Sequence, residues 1–282
     1  MVGFARVSSF ANAEAEGRAS FASFRKVPGQ ASVAGSWVDL SMAAGNPRPN
    51  YYATSPLVAA TLDGFNGLFH GDDKSPASKH VSHLGIMTPT AGAVGKYTLA
   101  DYLLFYPFVD GDDTDTQALD NTVTLPRYTD GEGVKVMLVC VAPTTGGGSV
   151  VLNYTDQDGV AQVSSTISLN PSATNIATVL TGDQGGAAGG QLFLPIASRG
   201  VRSVESVQMI SPSGGLFAIV LVKPLANGVV REVGTMHETE FVRTSPGAPR
   251  IEDGAYLSLV MNCAGSVAAG IIAGYARFYW SE

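Results

Sequence analysis

The chain has 282 residues, of which 45% are hydrophobic and only 15% are charged, and its formal net charge is -7. This length suffices for one large domain with a substantial core. The absence of a basic block excludes binding to a nucleic-acid backbone, which depends on clustered Lys and Arg. The low charged fraction indicates either a surface that partners cover or a composition in which 33 glycines and many alanines raise the apolar share.

We expect no membrane segment, because no apolar run approaches the roughly 20 residues that cross a bilayer. The N-terminal residues have no continuous apolar core of the kind found in signal peptides. The sequence therefore predicts a protein that is either made and used in a cytoplasm or assembled there into something larger.

Residues 1–27 are predicted to form an N-terminal arm. Between residues 9 and 24 the apolar side chains roughly follow a helical stripe, which indicates a short helix or an extended arm. The arm either anchors on a neighbouring subunit or packs on its own domain. Its candidate contact residues are Phe4, Phe10, Phe21 and Phe24.

Residues 28–56 are rich in Pro, Gly, Ser and Asn. Trp37 begins a short alternating stretch typical of an edge strand, and the prolines that follow it predict an ordered loop. Tyr51 and Tyr52 lie beside this loop. Together with Trp37 they are candidate interface residues, although tyrosines as often anchor a loop on its own fold.

Residues 28–282 are predicted to be mainly β, an antiparallel sandwich or jelly-roll-like body with long loops. Apolar runs at 102–109 and 134–141 indicate buried strands, and Asp158-Gly159 indicates a hairpin. A glycine-rich stretch at 170–190 predicts a surface loop, where two β subdomains could divide. Later strands are expected at 191–196, 201–210, 215–222, 229–233, 255–262 and 271–280, with a turn at Asn227-Gly228.

His70, His80 and His83 are weak candidates for a metal site, because three imidazoles and a carboxylate could converge on one ion. Ser75-Pro76 predicts a short helix over 77–82. His80 and His83 are spaced i and i+3, so they could share a helical face. The spacing lacks the HExxH or paired-cysteine patterns of zinc sites. We therefore expect an interface or a solvated loop, and no metal.

A second candidate for an ion is the acidic run of Asp110, Asp112, Asp113 and Asp115. Its oxygen density resembles that of a calcium loop, but the EF-hand glycine placement and the glutamate at the twelfth position are missing. The preferred interpretation is a set of turns whose Asp side chains cap local backbone groups, followed by a short helix over 115–119.

No nucleophile elbow, phosphate-binding loop or dinucleotide fingerprint occurs, so we expect neither an enzyme nor a cofactor. Cys140 and Cys263 each lie in a predicted apolar strand. Two buried free thiols are the preferred interpretation, and a disulfide between them is left open.

Four further segments are GSWVDLSMAAGNPRPNYYA, DYLLFYPFVDGDDTDTQALDNTVTLPRYTDGEGVKVMLV, GVRSVESVQMISPSGGLFAIVLVKPL and PRIEDGAYLSLV. They resemble segments of a group of tailed-bacteriophage virion proteins, and the resemblance covers most of the chain beyond the first thirty residues. It consists of whole phrases rather than a catalytic motif. The resemblance implies the phage particle as the setting and carries over no functional residue.

Within such a particle, the shell-forming protein has a long spine helix, which no segment here offers. Decoration or cement proteins of phages are commonly β-sandwiches that sit as trimers on the shell, and the resemblance therefore implies this role. The expected partners are the major capsid protein and copies of the chain itself, as a homotrimer on the capsid surface. Alternatives are a tail, baseplate or fibre-attachment component, a glycan- or receptor-binding module at Asn50, Tyr51 and Tyr52, and a metal-dependent hydrolase at the three histidines.

Overall fold

A computed structural model describes residues 7–180, 191–243 and 247–281 of the chain. Over these residues it contains the helix α1 (Val7–Ala15) and three short 3-10 helices, Leu40–Met42, Gly64–Asn66 and Ala91–Ala93. All other regular structure is β. The strands are β1 (Ala19–Val27), β2 (Trp37–Asp39), β3 (Ala44–Asn46), β4 (Ala60–Thr61), β5 (Lys79–Met87), β6 (Gly95–Asp110), β7 (Thr116–Ala118), β8 (Lys135–Ala142), β9 (Ser149–Asp156), β10 (Ala161–Val163), β11 (Ile167–Ser168), β12 (Val201–Ser211), β13 (Leu216–Val230), β14 (His237–Glu240), β15 (Arg250–Ile251), β16 (Leu257–Cys263) and β17 (Ile272–Trp280).

The strands form three antiparallel sheets, which confirms the predicted mainly β, sandwich-like body. The central sheet has the order β2-β16-β6-β13-β8, with β4 also paired to β6. The first outer sheet has the order β14-β5-β17-β1-β3, with β15 paired to β5. The second outer sheet has the order β10-β9-β12-β7, with β11 paired to β9.

Two long strands, β6 and β13, join the parts of the molecule into one body. Successive side chains of a strand point to opposite faces of the sheet. Because β6 and β13 are long, the side chains on one of their faces contact two partner sheets. Near the start of β6, Tyr97 and Leu99 lie in a core with residues of β5 and β17. Near its end, Tyr106 and Val109 lie in a core with residues of β9 and β12. The two outer sheets therefore cover opposite ends of the same face.

The opposite face of the central sheet forms a third core. Tyr102 and Phe105 of β6 and Val220 of β13 belong to it, and loop residues such as Tyr52 cover it. The predicted apolar strands at 102–109 and 134–141 correspond to parts of β6 and β8 and are buried as expected. Cys140 and Cys263 are buried free thiols, as preferred from the sequence.

The assignment of residues 1–27 to an arm needs correction. A helix is present, but it ends at Ala15, and residues 19–27 form β1 inside the first outer sheet. This strand pairs with β17 on one side and with β3 on the other. Residues 19–27 therefore belong to the body, because removing them would leave β3 and one edge of β17 without hydrogen-bonding partners. Phe4 and much of the boundary expected near 170–190 lie outside the described residues.

Four local predictions are also wrong. The segment predicted as a helix over 77–82 enters β5, and the segment 115–119 contains β7 instead of a helix. The stretch 191–196 contains no strand. Asn227-Gly228, predicted as a turn between two strands, lies within β13, which pairs with β6 from Leu216 to Val230. A bulge between Pro224 and Ala226 lets the ladder continue past the proline, which has no N–H group to donate.

Candidate interaction surface

The exposed face of the first outer sheet carries an aromatic pair. In β1, Phe24 points into the core, and Phe21, three residues earlier, points to solvent with 63% of its surface exposed. Its ring stacks on that of Tyr275 in β17, with 4.8 Å between the centroids and 27° between the planes. The Tyr275 hydroxyl hydrogen-bonds the carboxylate of Glu238 in β14. The pair is therefore an apolar patch fixed on a continuous sheet.

Helix α1 covers the neighbouring part of the same face. The Phe10 ring meets Tyr279 edge-on at 5.9 Å and His80 at 6.5 Å between centroids. Glu14 accepts a hydrogen bond of 2.9 Å from the Tyr279 hydroxyl and another from Arg277. These two contacts, the first being the larger, lower the pKa of Glu14. Of the two alternatives left by the sequence, Phe10 thus packs on its own domain.

Tyr51 and Tyr52 are adjacent in sequence but lie in different environments. Tyr51 is 57% exposed and lines an apolar cavity of about 490 Å³ with Val27, Phe108 and Ile176. Tyr52 is fully buried, and it has a positive φ of 52°. The glycan-binding alternative required both rings in one groove beside Asn50, and the structure does not bring them together there.

The Tyr52 hydroxyl belongs to a buried polar cluster around Asp39. Asp39 accepts hydrogen bonds from the hydroxyls of Tyr52 at 2.5 Å and Tyr102 at 2.8 Å. It accepts two more, each of 2.8 Å, from the backbone N–H and the hydroxyl of Ser41. Burial raises the pKa of Asp39, and the hydrogen bonds from Tyr52, Ser41 and Tyr102 oppose the rise. The cluster fixes the loop after β2 to the central sheet.

The predicted role in an interface is therefore wrong for three of the candidate residues. Phe24, Trp37 and Tyr52 lie in the cores, where they contact the protein's own sheets and not an outer surface. Phe21 and Tyr51 are the candidates that remain exposed among the described residues.

The three histidines do not converge. His70 is buried, and its Nδ1 accepts a hydrogen bond of 2.9 Å from Lys79 Nζ while its Nε2 donates to the carbonyl of Ala255 at 3.1 Å. His80 lies under Phe10, and His83 is paired in register with Arg277. No group of three or more His, Cys, Asp or Glu side chains with metal-binding geometry occurs within residues 7–180, 191–243 and 247–281.

The acidic loop after β6 forms the predicted turns. The carboxylate of Asp110 accepts from the N–H of Asp112, and that of Asp113 accepts from the N–H of Asp115, each at 2.9 Å. Gln117 closes the loop by bonding both the N–H and the carbonyl of Asp110. The carboxylates thus satisfy local backbone groups, as the preferred interpretation stated.

Sequence reasoning missed a second exposed aromatic pair. Phe65 and Phe69 are 77% and 48% exposed, and their rings stack at 6.1 Å between centroids. The turn signals Asp63-Gly64 and Asn66-Gly67 on either side of Phe65 could have indicated it, because a large aromatic between two tight turns has little core to enter. The described surface therefore carries two separate aromatic pairs, Phe21–Tyr275 and Phe65–Phe69.

The sequence matches no protein-family model and no curated protein. Among solved structures, the chain is compared with one described as the crystal structure of infectious bursal disease virus VP2 subviral particle. The identity is 8%, the TM-score is 0.13, and the alignment covers 93% of this chain and 80% of that chain. A TM-score this low shows neither a shared fold nor a shared function. The resemblance to phage virion proteins thus stays a prediction.

Within the described ranges, no helix combines the length and the apolar character that crossing a membrane requires.

Proposed function

We propose that the chain is a virion structural protein of a tailed bacteriophage that decorates and stabilises the capsid as a cement protein. It acts without catalysis or a cofactor, on the capsid surface, and is assembled in the host cytoplasm. Its partners are the major capsid protein and further copies of itself in a homotrimer. The observation that carries the proposal is the exposed Phe21–Tyr275 pair on the rigid face of the first outer sheet.

The physical argument concerns where binding free energy comes from. Large aromatic side chains dominate interface energetics when a partner covers them, and burying apolar surface contributes about 25 cal/mol per Å². Phe21 lies on a strand that is hydrogen-bonded to β17, so little conformational entropy is lost when a partner docks there. Repeated over a symmetric shell, such contacts cross-link neighbouring capsomers. The resemblance of four sequence segments to phage virion proteins supports the same setting.

The test is reconstitution of particles that lack the protein. Wild-type chain, Phe21→Ala and Tyr275→Ala are each added to purified particles, and the bound fraction is measured by sedimentation. We expect at least tenfold weaker binding for both variants. Val163→Ala is the control, since Val163 is also exposed but lies on β10 of the second outer sheet. If both aromatic variants bind as tightly as the wild type, the Phe21–Tyr275 pair is not the surface that contacts the capsid.

Immunogold labelling of intact particles separates the shell from the tail. Label over the capsid supports decoration. Label confined to the tail or baseplate would contradict it and favour the tail-component alternative. Light scattering of the purified chain measures whether it is a trimer in solution. A monomeric mass in solution, together with single copies instead of threefold clusters on the particle, would contradict the trimer.

A further inference from the structure

The Phe65–Phe69 pair forms one wall of a surface cavity of about 400 Å³. We call this pair, with the cavity beside it, the Phe65–Phe69 platform. Among the exposed large hydrophobic residues that the structure describes, Phe65 has the largest exposed fraction, 77%. Two adjacent phenyl rings that the fold leaves in water are typical of a surface that a partner covers.

The platform is held rigidly by its own loop. The carboxylate of Asp63 accepts from the N–H of Phe65 at 3.0 Å, and the N–H of Leu68 donates to the carbonyl of Leu257 at 2.8 Å. A Cβ atom at Gly67 would lie 2.8 Å from the Leu257 nitrogen, so the loop approaches β16 as closely as glycine allows. The two rings are therefore presented on a preformed backbone.

The charged side chains that line the cavity are all acidic. They are Asp63, Asp72 and Asp73, and no Lys or Arg of the described residues lines it. Two nearby ammonium groups have partners of their own, since Lys74 lies over the Trp280 ring at 4.5 Å and the buried Lys79 donates to His70 and, behind the lining, to the carbonyls of Gly71 and Asp72. The faces of phenyl rings are also electrically negative. Rings and carboxylates thus both attract a cation and repel an anion.

We propose that the Phe65–Phe69 platform is a docking site for an arginine side chain of a protein partner. A planar guanidinium stacks on an aromatic face and still donates hydrogen bonds to a carboxylate beside the ring, which a compact ammonium does less well. Asp72 is suited to the second contact, since it is exposed and, unlike Asp63 and Asp73, caps no backbone amide in the described structure. The site is separate from the Phe21–Tyr275 pair, so the inference stands independently of the capsid proposal.

The test uses short peptides and the full chain. The peptide acetyl-Gly-Arg-Gly-Arg-Gly-amide is titrated into isotope-labelled protein, and amide and phenyl-ring chemical shifts are followed by NMR. The matched control peptide carries citrulline, which has the shape of arginine without its charge. We expect saturable shifts in residues 63–73 with a dissociation constant of roughly a millimolar, because each exposed contact is weak. Raising the salt from 50 to 500 mM should weaken the binding severalfold.

Variants locate the contact. Phe65→Ala and Asp72→Asn should each weaken peptide binding at least threefold, and Val163→Ala should leave it unchanged. Both platform residues are exposed, and an unchanged melting temperature will show that the variants are folded. Equal binding of the citrulline peptide, shifts confined to another surface, or wild-type affinity in both platform variants would each overturn the proposal. So would a neutral oligosaccharide, such as maltohexaose or chitohexaose, that shifts residues 63–73 when the arginine peptide does not.

Discussion

Asp101 and Arg127 form a bidentate ion pair inside the protein, with 2.8 Å between Nε and Oδ2 and 2.7 Å between Nη2 and Oδ1. Asp101 lies in the middle of β6, between the parts of that strand that enter the two outer cores, and it also accepts a hydrogen bond from the N–H of Tyr256. The pair fixes the loop after β7 to β6. Burial raises the pKa of Asp101 to about 6, and Arg127 opposes the rise.

The first prediction concerns this pair. Arg127→Met should lower the free energy of unfolding by about 3 to 5 kcal/mol at pH 8, because it leaves a buried carboxylate without its partner. Urea denaturation measures the change. Arg199→Met is the control, since Arg199 makes only long, exposed ion pairs and should change stability by less than about 1 kcal/mol. Equal losses in the two variants would show that the buried pair has no special role.

The second prediction concerns the Asp39 cluster. Asp39→Ala should destabilise the fold by several kcal/mol, because two buried tyrosine hydroxyls lose their acceptor. Tyr102→Phe removes one hydrogen bond to the carboxylate and should cost about 1 to 3 kcal/mol. Tyr51→Phe is the control on an exposed ring, with an expected change below about 0.5 kcal/mol. A stable Asp39→Ala variant would contradict the role given to the cluster.

The third prediction concerns pH. Burial, and then the neighbouring Lys79, lower the pKa of His70 from 6.5 to about 4. Between these values the unfolded chain binds a proton that the folded chain does not, so this histidine's contribution to stability is lost as the pH falls from about 6.5 to about 4. Asp101 acts in the opposite sense, because its raised pKa makes the folded state bind the extra proton between about pH 4 and 6.

The two effects are separated by comparing the wild type with His70→Gln at pH 7.0 and 4.5. The wild type should lose about 2 kcal/mol more than the variant over this interval. NMR provides the direct check, since the His70 ring should stay neutral down to about pH 5. A His70 ring that titrates near 6.5 would contradict its buried, lysine-paired environment.

The fourth prediction concerns the N-terminal residues. Removing residues 1–15 should leave the β body folded, whereas removing residues 1–27 also deletes β1 and should abolish cooperative unfolding. At single residues, Phe24→Ala should cost about 3 to 5 kcal/mol and Phe21→Ala less than about 1 kcal/mol. Circular dichroism and thermal melts distinguish these outcomes, and a folded protein lacking residues 1–27 would contradict the place of β1.

Much of the β body could be predicted from local patterns, because apolar runs such as those in β6 and β8 have few alternatives to burial. The limits of β1 could not be predicted in this way. Phe10, Phe21 and Phe24 fit a helical stripe, yet a strand places residues three apart on opposite faces, so the same spacing gave Phe21 and Phe24 different environments. Only the pairing with β17, more than 240 residues away, decides between them.

The candidate surface depended even more on tertiary contacts. Tyr51 and Tyr52 are adjacent and identical in type, so the sequence does not distinguish them. Tyr52 is the buried one because its hydroxyl donates a hydrogen bond to the buried carboxylate of Asp39. Asn227-Gly228 is a good turn signal, but the ladder with β6 overrides it. The exposure of Phe65 and Phe69 could not be predicted either. Nothing in the sequence around them shows that Leu68, which lies between them, takes the buried position and leaves both rings at the surface.

We propose that the chain covers the shell of a phage, and electron cryomicroscopy can observe this on particles purified with the gene intact and with it deleted. If the proposal is correct, β-rich density lies on the outside of the capsid in threefold clusters and disappears on deletion, and the sheet face that bears Phe21 and Tyr275 is turned to the shell. Identical shells in the two maps, or density lost from the tail alone, would contradict it.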